Sequence, residues 1–134
     1  MKKIVLPAIV AGILMTISNM IISIIMNKVV PGIMTEYQTP GLFRPWSDPL
    51  MQAFFAHPFI LALALAYVWD KIKGSLPGNR VLGFVWGCFL VATLPGMFIS
   101  YTSFQISLAM TLSWTLTSVV SLYVATLVLN KMNG

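Results

Sequence analysis

At 134 residues, 58% of them hydrophobic and only 8% charged, the chain has the size of one domain and too little polar surface to shield its apolar groups from water as a soluble fold. Its net charge of +5 comes from eight Lys and Arg residues scattered among the ends of apolar runs, which excludes the basic stripe of a nucleic-acid-binding surface. The single cysteine, Cys88, excludes an intrachain disulfide and the paired thiols of a membrane thiol oxidoreductase.

Four apolar runs, about Ile4–Met26, Leu50–Trp69, Val81–Tyr101 and Ile106–Leu129, take up most of the chain, and none contains Lys, Arg, Asp or Glu. Since a helix needs roughly 20 mostly apolar residues to cross the hydrocarbon core, the expected fold is all-α: an integral membrane four-helix transmembrane bundle forming one domain over residues 1–134. Lys2 and Lys3 ahead of the first run also suit a secretory signal peptide, but the run exceeds the roughly 7–15 residues of a signal core. With no small-residue cleavage site after it, it is read as an anchor.

The first span should stop at Pro31-Gly32. From Ile33 to Asp48 the chain is irregular, with turns expected at Pro40-Gly41 and Pro45, yet Met34, Tyr37, Leu42, Phe43 and Trp46 are too apolar for a solvated tether. An ordered extracytoplasmic loop between the first two helices is expected, lying on the membrane surface or folded over the bundle mouth. Ser47 or Asp48 can cap the second helix, with Pro49 at its first position. That helix should end at Asp70, Lys71 and Lys73, before a turn-rich loop from Gly74 to Asn79. The third and fourth spans are joined by so few residues that they must be antiparallel neighbours.

Lys2, Lys3, Lys71, Lys73, Arg80 and Lys131 fall at the termini and the second gap, against Lys28 and Arg44 on the opposite side. By the positive-inside rule both termini are expected in the cytoplasm, with the chain in a plasma (inner) membrane.

Gly83 and Gly87 form a GxxxG pair, read either as packing within the chain or as a homodimer seam. Ala8, Gly12 and Thr16, and Ala62 with Ala66, make similar small-residue ridges. In the fourth span Ser113, Thr117, Ser121 and Ala125 recur every four residues on one face, as hydrogen-bonding glue or as the wall of a polar cavity.

His57 is the only histidine, about 10 Å below the outer boundary by its place in the second span. An intramembrane ionisable group points to function, although a neutral imidazole bonded to a neighbouring helix is the plainer alternative. Pro58 frees the carbonyl of Phe54 and predicts a kink. Counting residues from the helix ends puts Asn19 about 8 Å from the outer edge, at the depth of His57, of Thr111–Thr115 and of Pro95-Gly96. The expected site is therefore a polar layer in the outer half, built from Asn19, His57, Ser113 and the backbone near Thr93–Gly96. Above it, Arg44 is expected to pair with Asp48, or with Glu36, as a clasp on the loop. Pointing inward, Arg44 would instead receive an anionic or lipid headgroup.

Enzyme signatures are missing: there is no HExxH, GxSxG or glycine-rich phosphate loop, and one histidine with one cysteine makes no metal site. No cofactor and no enzymatic activity are expected. The reading is a non-enzymatic membrane protein whose ligand-binding residues are His57, Asn19, Ser113, Arg44, Asp48 and Glu36, taking a small or lipid-like molecule, or a subunit of a membrane complex. The alternative is a small homo-oligomeric transporter or channel packed through Gly83 and Gly87. Its partners are the lipid bilayer, a small-molecule or lipid ligand and a second copy, not nucleic acid.

Overall fold

The first apolar run forms α1 (Lys2–Val29), about 42 Å of helix at 1.5 Å per residue, longer than the run by a turn at its far end. It breaks at Pro31-Gly32, where Gly32 adopts φ 103°, a backbone conformation that favours glycine. The computed structural model describes residues 2–134, and of Lys2 the backbone alone. The Lys2 side chain, counted above among the basic residues, lies outside the described residues.

A short helix, α2 (Ile33–Tyr37), occupies the start of the stretch read as irregular, and Gly41 at φ 79° makes the turn expected at Pro40-Gly41. Then comes α3 (Pro49–Ile72). Of the two expected caps, Asp48 is the one used: its Oδ1 accepts from the Leu50 N–H at 2.9 Å, with Pro49 at the first helical position. The third helix, α4 (Arg80–Ser103), is capped by Asn79, which accepts from the Leu82 N–H at 3.2 Å. The fourth, α5 (Leu108–Asn133), is capped by Ser107, which accepts from the Met110 N–H at 3.0 Å. No strand occurs among the described residues, and these four helices are long and apolar enough to cross a membrane.

Two of the helices change pitch ahead of a proline. In α3 the residues Ala53–Ala56 form a 3₁₀ turn, and the His57 N–H donates to the Phe54 carbonyl that Pro58 leaves without its usual partner. In α4 the residues Phe89–Thr93 form a π turn immediately before Leu94-Pro95.

Helices α1, α3 and α5 make the centre. Ala8, Ala11 and Met15 of α1 meet Ala62, Leu65, Ala66 and Trp69 of α3 and Leu122, Ala125 and Leu129 of α5. Alanines at these contacts let the backbones approach closely, which is how helices associate where no hydrophobic force separates them from lipid. Helix α4 flanks α5 and adds Phe84 and Val85 to this core, and Phe84 meets Trp69 edge-on at 5.3 Å between centroids. Outward faces are as apolar as the interior, with Ile17, Ile24, Ile60, Leu90 and Phe98 all exposed.

The start of α1 and the end of α5 lie at the end of the bundle that carries the α3–α4 turn. There Asn133 ties α5 to α3: its carbonyl accepts from Trp69 Nε1 at 3.1 Å and Lys73 Nζ at 2.7 Å, and its side chain bonds Lys73 at 2.8 Å and Asp70 at 3.2 Å. A final-turn carbonyl that has no partner within its own helix is satisfied in this way.

Candidate functional site

The polar groups inside the bundle are consumed in pairs. Ser121 of α5 donates to Asn19 Oδ1 of α1, and Thr93 of the π turn shares a 3.0 Å hydrogen bond with Ser118. The threonine hydroxyls of α5 turn back on their own helix: Thr111 donates to the Ser107 carbonyl at 3.1 Å, Thr115 to Thr111 at 2.8 Å, Thr117 to Ser113 at 2.9 Å and Thr126 to Leu122 at 2.6 Å. Of the α5 hydroxyls only Ser118 and Ser121 act as glue between helices, and the threonines line neither cavity described below. Among the described residues no buried side-chain polar atom lacks a partner.

The expected layer joining Asn19, His57 and Ser113 is therefore not formed. Asn19 bonds Ser121, eight residues and about 12 Å further along α5 than Ser113, so the polar pairs sit near the middle of the bundle and not in its outer half. The error lies in counting depth from the ends of apolar runs: seventeen residues separate Asn19 from Lys2 but only twelve separate Ser121 from Asn133, so α1 is shifted by about 7 Å towards the terminal end of α5. Ser113 is buried but joins no interhelical hydrogen bond. Near Thr93–Gly96 the expected irregular backbone is present, and Thr93 bonds Ser118 across it.

His57 is exposed on the outside of the bundle, and its side chain makes no hydrogen bond among the described residues. The buried side of α3 is set by Pro58, Ala62, Leu65, Ala66 and Trp69. His57 opens the α-helix that carries this side and stands about 100° from Pro58, off it, while the 3₁₀ turn at Ala53–Ala56 swings only the segment before it, by about 80°.

At the end opposite the termini, the loop is latched onto α5. Glu36 accepts from the backbone N–H of Ser107 and from its hydroxyl at 2.6 Å, which sets a carboxylate at the start of α5 where the helix dipole favours negative charge. Glu36 thus serves Ser107 and not Arg44. Trp114 Nε1 donates to the Tyr37 hydroxyl, and Phe43 packs on both rings at 5.3 and 6.1 Å between centroids. Burial pushes the Tyr37 phenol above its ordinary 10.0, partly offset by the Trp114 donor. Arg44 pairs with Asp48 at 2.9 Å on the exposed rim, as the clasp reading expected. The Leu50 N–H and then the Arg44 guanidinium hold the Asp48 carboxyl below its ordinary 3.8.

Apolar cavities indent the surface. One of about 240 Å³ lies under the loop between Leu42, Phe43, Phe104, Ile106 and Trp114, and another, of about 350 Å³, lies between α4 and α5. Neither is lined by His57, Asn19 or Ser113. No group of three or more His, Cys, Asp or Glu side chains suited to a metal occurs among the described residues.

The glycines divide sharply. A Cβ at Gly12 would lie 2.6 Å from a ring carbon of Phe59, so this ridge is spent on packing within the chain. A Cβ at Gly87 would meet nothing within 4 Å, and one at Gly83 only the tip of Leu76 at 4.0 Å. Of the two readings of GxxxG, packing within the chain is set aside: the pair lies on the side of α4 away from buried Val81, Phe84 and Val85.

Comparison with protein-family models, curated proteins and solved structures finds no match.

Proposed function

We propose that the chain is an integral membrane protein, inserted through α1, α3, α4 and α5, with both termini in the cytoplasm and the Ile33–Asp48 loop on the outer face of a plasma (inner) membrane. Within that membrane it acts as a non-enzymatic subunit of a larger complex. The observation that carries this reading is His57. It lies twelve residues, about 18 Å, from Trp69 at the terminal end, which places it well inside a hydrocarbon core roughly 30 Å thick. An imidazole facing lipid tails with neither nitrogen bonded costs about 1–3 kcal/mol. A protein partner with a polar group at that depth removes the cost.

Support for an internal ligand site is weaker, since Asn19 is occupied by Ser121 and Glu36 by Ser107. The open Gly83 and Gly87 face favours the second reading, a homo-oligomeric transporter. Against a path within one chain, the terminal half of the interior is walled by Ala8, Ala11, Met15, Leu65, Phe84 and Val85.

The test is native mass spectrometry of the protein extracted from its own membranes in mild detergent. The wild-type chain and His57→Gln, which keeps a donor and an acceptor, should emerge in an assembly that His57→Leu dissolves. A monomer throughout, or a His57→Leu assembly equal to wild type, overturns the proposal.

A further inference from the structure

The cavity between α4 and α5 is an open groove of about 350 Å³, walled by Leu82, Trp86 and Phe89 on one side and Val119, Val120 and Tyr123 on the other. Its position along the bundle can be read from the Thr93–Ser118 bond, which registers α4 against α5. Val119 adjoins that bonded pair, near the middle of the bundle, while Leu82 lies eleven residues from Thr93, about 16 Å towards the terminal end. One leaflet of a bilayer is half of a roughly 30 Å hydrocarbon core. The groove therefore has the length and the apolar lining of one leaflet's acyl chain.

Its mouth at the terminal end is cationic. Tyr123, Leu127 and Lys131 follow one another at four-residue spacing, so that Lys131 comes at the groove's lower edge, while Arg80, about 200° round α4 from Leu82, stands at the same level on the helix's other side. Both cations are exposed. The acidic side chain at this end among the described residues is Asp70, on α3, which is already held by Lys73 and Asn133. A headgroup at this level meets uncompensated positive charge.

We propose that the groove binds one acyl chain of an anionic phospholipid from the terminal-side leaflet, with its phosphate at Lys131. The proposal rests on membrane insertion as argued above, but not on the complex-subunit role. Trp86, 59% exposed on the groove wall, is the reporter.

The full chain is reconstituted in phosphatidylcholine vesicles doped with acyl-brominated phosphatidylglycerol or acyl-brominated phosphatidylcholine, and the Trp86 contribution to fluorescence quenching is obtained by difference from Trp86→Phe. Quenching by the anionic lipid should exceed that by the zwitterionic one several-fold at equal mole fraction. Lys131→Gln, a surface change that leaves the packing intact, should lower the preference roughly fivefold or less, and Arg80→Gln, on the other side of α4, should lower it less; the reverse order overturns the proposal. Val120→Phe, which fills the groove, should remove the preference without touching a charge. Equal quenching by the two lipids means ordinary boundary lipid and overturns the proposal. So does quenching by neither lipid that reappears on dilution of the protein, which would mark a second copy in the groove. Absence of quenching from Trp86 and from the other exposed tryptophan, Trp46, at every dilution would instead overturn insertion itself.

Discussion

Replacing Ser121 by Ala removes the donor to Asn19 Oδ1 and leaves that oxygen unpaired, so the Asn19–Ser121 pair measures the register of α1 against α5. Ser121 is 4% exposed, and water cannot replace the lost bond. Interhelical hydrogen bonds in lipid couple their partners by about 0.6 kcal/mol on average and up to about 1.7 kcal/mol. A bond whose donor is almost fully buried belongs in the upper half of that range. The assay is a double-mutant cycle of Asn19→Ala, Ser121→Ala and the double variant, with unfolding by sodium dodecyl sulfate in bicelles followed by tryptophan fluorescence. Parallel cycles pair Asn19→Ala with Ser113→Ala and with His57→Ala, and these should be additive within about 0.3–0.5 kcal/mol. A coupling below about 0.3 kcal/mol for Asn19–Ser121, with a larger one for Asn19–His57 or Asn19–Ser113, would refute the register of α1 against α5 and restore an outer polar layer.

Glu36→Ala should unlatch the loop and raise hydrogen exchange at the Ser107 amide about tenfold, the equivalent of one charge-assisted bond of about 1.5 kcal/mol, with Glu36→Gln between the two. Unchanged exchange would detach Glu36 from α5. Gly12→Ala should destabilise the bundle by about 1–3 kcal/mol because its Cβ would lie 2.6 Å from Phe59, and Phe59→Ala in the same chain should recover most of that loss. Asp48 has a folded pKa held below 3.8, so what its carboxylate contributes to the α3 cap is present above the ordinary carboxylate range and is lost as pH falls through the lowered value. Proteolysis of the loop should therefore rise only in strong acid and should no longer respond to pH there in Asp48→Asn. In a Cys88→Ala background, an impermeant thiol reagent added outside whole cells should label Ser103→Cys and spare Ser75→Cys; the reverse pattern would invert the proposed topology.

Helix number and type were legible in the chain because they follow from one-dimensional quantities: runs of about 20 apolar residues, and Asp48-Pro49, Pro31-Gly32 and Pro40-Gly41 as punctuation. The Arg44–Asp48 pair was legible for the same reason, its partners being four residues apart. A face shared by Ser113, Thr117 and Ser121 was visible too, but not which of the three meets Asn19. That choice depends on the axial offset between α1 and α5, and an overrun of a few residues at one helix end moves every depth by several ångströms. The direction of His57 depended on which face of α3 is turned inward: it stands one residue, about 100°, from Pro58 in an unbroken α-helix, and packing puts Pro58, Ala62, Leu65, Ala66 and Trp69 inside and leaves it out. Contacts such as Glu36 with Ser107, Tyr37 with Trp114 and Lys73 with Asn133 join residues sixty or more positions apart, and local periodicity carries no information about them. The empty face at Gly83 and Gly87 is of the same kind, since identical small-residue spacing served packing at Gly12 and was left open on α4. Hydrophobic pattern and turn chemistry act along the chain and determined the elements; offset, rotation and pairing arise only when the helices are set against one another, and these decided which polar groups are spent inside and which are left facing out.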